Sequence, residues 1–71
     1  MPKEKCWIGP IADKDDFHGP IADEFVDGVT QMGPWAIMNP YNHKKYGRGI
    51  GLGRGQRYRK QLDGRWLKVE G

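Results

Sequence analysis

Ten side chains in the second half of this 71-residue chain have the chemistry to meet a polyanion. Lys44, Lys45, Arg48, Arg54, Arg57, Arg59 and Lys60 are cations suited to phosphate oxygens, and Tyr46, Tyr58 and Trp66 are rings suited to stacking on bases. The charge is unevenly divided. Residues 1–35 hold three Lys against seven Asp and Glu, net −4, whereas residues 36–71 hold nine Lys and Arg against two acids, net +7. The whole chain is +3 with a pI near 9.2. Such asymmetry suits a polyanionic partner for the basic half. The bland alternative is that the acidic segment folds against the basic one and cancels it.

Bond-making chemistry has little support. The chain has no Ser, and no Cys or Lys stands in a nucleophile motif. G-R-G-I-G-L-G contains a G-x-G element but not the G-x-G-x-x-G of a dinucleotide-binding unit, and the G-K-[ST] of a phosphate loop is absent. Asp13, Asp15 and Asp16 lack the D-x-D-x-D-G order and distal Glu of a calcium loop. The expectation is a binding protein with no catalytic residues, cofactor, metal or small-molecule substrate.

The elements that must hold the ten residues start with Tyr46–Lys60, Y-G-R-G-I-G-L-G-R-G-Q-R-Y-R-K. Five glycines alternate with Arg48, Ile50, Leu52 and Arg54, so an extended chain would have one bare face open to something flat. Two Asp-Gly pairs between β-prone runs predict hairpins over about 22–32 and 57–69. Two-residue loops would set Val26 opposite Val29, Leu62 opposite Arg65 and Lys60 opposite Leu67. Tyr58, Leu62, Leu67 and Val69 would then pack inward, with Arg59, Gln61, Trp66 and Lys68 outward; Trp66 under the glycine tract is the alternative. Gly33-Pro34 ends a strand, Asn39–Asn42 is a turn, and a helical turn is expected within 35–46. A pentapeptide, G-P-I-A-D, occurs at Gly9–Asp13 and again at Gly19–Asp23, which reads as a local duplication that lengthened a loop.

Size and composition bound the rest. One domain over 1–71 is expected, with 1–20 loose or loop-like, and its small core implies marginal stability. Mean hydropathy is −0.83, and eleven Gly and five Pro favour turns over long helices. No apolar run approaches the roughly 20 residues that cross a bilayer, and the first residues lack the apolar core of a signal peptide. The expected compartment is the cytoplasm, with no membrane partner. Cys6 is the only cysteine, which excludes an intramolecular disulfide. The predicted core is Trp7, Ile21, Phe25, Val29, Trp35, Ile37, Met38, Tyr46, Leu62, Leu67 and Val69.

The run F-V-D-G-V-T-Q-M-G-P-W-A-I-M-N-P-Y-N-H-K-K-Y-G-R-G-I-G-L-G-R-G-Q-R-Y, followed by D-G-R-W-L-K-V, resembles a family of short, uncharacterised phage and prophage proteins of zinc-ribbon-like type. The resemblance covers roughly Phe25 to Val69. In that family a C-x-x-C pair lies near the N-terminus, and a second pair lies in W-A-x-M-C-P-x-C-H. A G-x-G-L-G-x-G-x-G-Q-x-Y tract and a G-x-W-x-K-V strand follow. Here the second pair falls on Asn39 and Asn42, and Gly9 stands where the first pair's second ligand would be, leaving Cys6. Three of the four implied ligands are gone, and amide oxygens are poor substitutes for thiolates. Asn side chains would hold the turn through backbone hydrogen bonds instead. Cys6, His18 and His43 are the only donors left for a residual site; each also reads as an ordinary buried thiol or surface imidazole.

The expected fold is therefore a small β-rich domain, α+β at most, zinc-ribbon-like without metal. Three functions follow. The first is sequence-nonspecific nucleic-acid binding through the basic half. The second is a protein-binding regulator or inhibitor of a host enzyme such as a polymerase or nuclease, in the host cytoplasm. The third is an accessory structural part that pairs through the glycine tract. The charge asymmetry favours the first.

Overall fold

Apolar and β-branched residues in β1 (Glu24–Val29) and β2 (Trp35–Met38) build an antiparallel pair in the computed structural model, which describes residues 5–71. A short helix α1 (Pro40–Tyr46) follows, then β3 (Gly55–Lys60) and β4 (Trp66–Glu70). The four strands form one antiparallel sheet in the order β2-β1-β3-β4. The β-rich, α+β expectation holds.

The first Asp-Gly pair is not a turn. Asp27 and Gly28 lie inside β1, opposite Ile37 and Ala36 on β2 and Gln56 and Gly55 on β3. A two-residue hairpin turn of the Asp-Gly kind needs positive φ at both central residues; neither Asp27 nor Gly28 has it. Gly28 is required for another reason: a Cβ there would lie 2.7 Å from the Arg54 carbonyl oxygen and 3.0 Å from the Gly55 Cα. The reversal falls instead at Thr30–Pro34. The Thr30 N–H and hydroxyl both donate to the Pro34 carbonyl, and Gly33, at φ +112°, donates to the Thr30 carbonyl.

The second hairpin forms, shifted by one residue. Lys60 pairs with Trp66, Arg59 with Leu67 and Tyr58 with Lys68, and a bulge follows at Arg57–Tyr58. The loop is Gln61–Arg65 rather than Asp63-Gly64 alone, closed by the Gln61 N–H donating to the Arg65 carbonyl at 2.7 Å. Because side chains alternate, a one-residue slip exchanges the faces. Trp66 turns inward onto Phe25, while Leu62 is fully exposed and Val69 is 39% exposed. Trp35 is also half exposed, so these three leave the predicted core; Val26, absent from it, is completely buried with Phe25 and Met38.

The sheet has two different faces. On one, Phe25 sits at the centre of a ring cluster: Tyr58 stacks on it at 5.0 Å, and Trp7 and Trp66 meet it edge-on at 5.3 and 5.0 Å. The other face carries Val26 and Met38, which pair across β1 and β2. A Cβ on Gly55 would lie 3.2 Å from both Val26 and the Gly49 carbonyl, and that carbonyl is 2.9 Å from His43 Nε2 of α1. The helix and the glycine tract therefore cover the Val26 side. Both sheet edges are occupied by the N-terminal segment. Trp7 N–H donates to the Trp66 carbonyl and Lys68 N–H to the Lys5 carbonyl on β4, while Asp16 exchanges hydrogen bonds with Ile37 on β2.

Asp27 is an acid on the aromatic face. Burial, and then the charge of Asp16, push its carboxyl above the usual value of 3.8. A raised native value means that the protonated form favours folding. That contribution is full below the unfolded value and is lost as pH rises through the native one. Asp27→Asn is therefore expected to stabilise the fold at pH 7 by about 0.5 kcal/mol, or roughly 2–4 °C in Tm, with the gain disappearing near pH 3. Thermal melts at the two pH values check it.

Candidate nucleic-acid interface

The glycine tract, expected from the sequence as a loop or irregular strand, is a loop. Gly49, Gly51 and Gly53 have φ of +84°, +141° and +78°, a conformation in which the two-residue alternation of faces is lost. Gly51 and Gly55 exchange N–H···O bonds of 2.9 and 3.0 Å, and Arg54 N–H also donates to the Gly51 carbonyl. Leu52 stands at the tip, 95% exposed. At its start the loop is anchored by α1: Gly47 N–H donates to the His43 carbonyl, and Gly47 bridges Thr30.

The helix that feeds this loop is set by its cap. Asn39 Oδ1 accepts from the Asn42 N–H at 2.7 Å and Pro40 occupies the first turn, where a missing N–H costs nothing. Beneath the cap lies the buried carboxylate of Asp15. Its Oδ1 accepts from the Phe17 and Gly19 N–H groups, and its Oδ2 from the Asn39 N–H and the Asn42 side-chain amide, at 2.7–2.9 Å. Burial pushes this carboxyl up, but the donors, led by the Asn39 N–H and the Asn42 amide, outweigh it and hold it below 3.8. The Asn39 side chain does bond backbone groups, the Asn42 N–H and the Pro20 carbonyl, as expected from the sequence, and Asp15 is a further partner of both Asn39 and Asn42. Cys6 lies against Leu67 on β4, at the opposite edge of the sheet. Among the described residues no three His, Cys, Asp or Glu side chains gather as a metal-binding group.

The ten predicted residues separate into three groups. Lys44, Lys45, Arg48 and Arg54 are exposed on the last turn of α1 and on the glycine loop, and none makes an ion pair among the described residues. Tyr46 lies with them, stacked on Phe17 at 4.5 Å, and Lys45 Nζ sits 5.3 Å from its ring centre. Arg57 and Arg59 form a second group, engaged with acids. Glu24 takes Arg59 Nη2 at 2.6 Å and Arg57 Nη1 at 3.3 Å. Arg57 Nε also lies 2.8 Å from Glu70 Oε1, in ionic contact but without hydrogen-bond alignment. The bond from Arg59, despite burial and with help from Arg57, holds the Glu24 carboxyl below 4.5. Part of the charge asymmetry is thus cancelled internally.

Tyr58, Lys60 and Trp66 form the third group, on the aromatic face. Tyr58 is packed between Phe25 and Trp7, and burial, then the charge of Asp27, raise its phenol above 10.0. Trp66 packs on Phe25 rather than under the glycine tract, with Lys60 Nζ 5.9 Å from its ring centre. Lys60 ends β3 and Gly55 begins it, so about 17 Å of strand separates Lys60 from the loop and about 10 Å separates Tyr58 from it. Trp35, which sequence reasoning placed in the core, is the half-exposed tryptophan at the loop end of the sheet. Its position directly after the Gly33-Pro34 reversal, on an edge strand, is the signal that would have found it.

No protein-family model, curated protein or solved structure matches the chain. Among the described residues no helix is long and apolar enough to cross a membrane.

Proposed function

We propose that the protein is a non-enzymatic, cytoplasmic nucleic-acid-binding module that holds a sugar-phosphate backbone on Lys44, Lys45, Arg48 and Arg54. The observation that carries this reading is the position of those four exposed cations, without ion pairs among the described residues, on one helix turn and its glycine loop. They fall within residues 28–62, where there is no Asp or Glu at all. Phosphate contacts fix position but carry no sequence information, so the binding is nonspecific. Resemblance to phage proteins supports a host-cell setting. Leu52, an apolar side chain at the loop tip, favours a second reading in which the same surface seats a host enzyme.

Titration of single-stranded oligonucleotide across a salt series tests the first reading. Four phosphate contacts give a slope of log K against log salt of about −2.8. Arg48→Gln with Arg54→Gln is expected to bring the slope to about −1.4 and weaken binding about tenfold or more. Arg57→Gln, at a residue engaged by Glu24 and Glu70, is expected to leave the slope nearly unchanged. No binding by the wild-type chain at low salt overturns the proposal. A stoichiometric partner retained from nuclease-treated bacterial lysate would then support the second reading.

A further inference from the structure

We infer that Trp35 is a base-stacking platform beside the basic loop, so that the partner is a single strand with unpaired bases. This rests on the nucleic-acid reading above and adds to it the ring that the cations alone do not supply.

Three observations place Trp35 in that role. It is the one tryptophan of three without a ring contact among the described residues, since Trp7 and Trp66 both spend theirs on Phe25. It is 50% exposed on the edge strand β2, with Met32, 67% exposed, in the adjoining turn. It is also tied to the basic loop through the backbone. Trp35 pairs with Val29, and the Val29 N–H donates to the Arg54 carbonyl at 2.8 Å. By backbone, Trp35 and Arg54 therefore flank the same residue, two strand spacings or about 10 Å apart, with Trp35 on the Phe25 face of the sheet at its loop end. From the turn before Trp35, Gln31 reaches toward the Lys45 and Gly47 carbonyls, and its N–H donates to the Tyr46 carbonyl, which fixes the helix end beside the reversal.

The consequence follows from the chemistry of the two parts. A duplex offers phosphates to the cations but keeps its base faces stacked on one another. An unpaired base exposes its face and gains by covering an indole. A free aromatic face at the loop end of the sheet, two strands from the backbone of a cation without an ion pair among the described residues, is thus matched to a flexible single strand that passes Arg54 with its backbone and lays one base over Trp35. The stack is indifferent to base identity, because every base has a π-face.

Thymidine oligonucleotide, which forms little structure of its own, is the probe, and affinity, salt slope and tryptophan fluorescence are the readouts. Trp35→Ala is expected to weaken binding about tenfold or more with the salt slope unchanged, because no phosphate contact is lost. Trp35→Phe keeps a ring and is expected to lose less affinity, while abolishing the fluorescence quenching that a stacked base causes. The Arg48→Gln, Arg54→Gln pair gives the opposite pattern, a reduced slope. Wild-type affinity in Trp35→Ala, with salt-dependent binding intact, overturns the platform but leaves the phosphate reading standing. No oligonucleotide binding by the wild-type chain overturns both. Equal affinity for duplex and single strand also overturns the platform. So does a Trp35→Ala chain that binds the oligonucleotide normally yet loses a protein partner from nuclease-treated lysate.

Discussion

Asp15→Ala is expected to abolish the cooperative unfolding transition at 25 °C and pH 7, as followed by circular dichroism. The carboxylate is 5% exposed and accepts four hydrogen bonds from three separate places: its own turn, the N-cap of α1 and the Asn42 side chain. Alanine leaves the buried Asn39 N–H and the buried Asn42 amide without an acceptor, and each orphaned donor costs about 1–3 kcal/mol. The sum, about 2–6 kcal/mol, is comparable with everything a small core supplies. The same bond set gives a pH signature. A carboxyl held below its usual value contributes stability that is present above the unfolded value and lost as pH falls through the native one. Both Asp15 and Glu24 act in this direction, so acid unfolding is expected below about pH 4. In Asp15→Asn, which keeps one acceptor but presents an amide N–H to donors, the acid limb should shrink along with the stability at neutral pH.

Phe25→Ala is expected to cost a similar amount, about 3–5 kcal/mol. Phe25 is completely buried, and its ring touches Trp7, Tyr58 and Trp66, contributed by three different parts of the chain. Truncation leaves a cavity bounded by stiff rings that cannot close in on it, and it deletes three aromatic pairs as well. Near-ultraviolet circular dichroism should lose the tryptophan signal of Trp7 and Trp66 under conditions where Leu62→Ala, at a fully exposed loop position, leaves it intact. A Phe25→Ala chain that melts within a few degrees of wild type would remove Phe25 from the centre of the core.

Fold class, the second hairpin and a helical turn within 35–46 were legible because local signals carried them, Asp-Gly between β-prone runs above all, but the turn expected at Asn39–Asn42 is instead the N-cap and first turn of α1, with Asn39 as cap and Pro40 at the start. The first hairpin was not, because Asp27-Gly28 has the composition of a turn but serves a close approach of β1 to β3, a contact between Gly28 and Gly55 made across 26 intervening residues. The one-residue slip at Gln61–Arg65 was equally hidden. Asp63 Oδ1 accepts the Arg65 N–H and Oδ2 takes its guanidinium, which widens the loop and turns Trp66 inward. Of the site, the loop cations were visible as charge in sequence, whereas the capture of Arg57 and Arg59 by Glu24 needed the strand register. Asp15 and Trp35 were missed alike. Exposure and burial at such positions depend on which distant segment covers them, and periodicity cannot report that.

The central position of β1 between β2 and β3 has a consequence for how the protein is made. The β1–β2 pair is complete once residue 38 has left the ribosome, but Phe25 still lacks its cover. Tyr58 and Trp66 are made later, and until they arrive Trp7 can meet Phe25 but lacks the Tyr58 ring and the Trp66 carbonyl that also hold it. A nascent chain halted anywhere before Trp66 therefore displays Phe25 as a sticky, incompletely sheathed surface. Structure closes in one late step, set by pairings distant in sequence, which is the slow kind of folding. The molecule is thus most exposed to chaperones, proteases and its own neighbours during the seconds of its synthesis, and the glycine loop reaches its final shape only when that step is over.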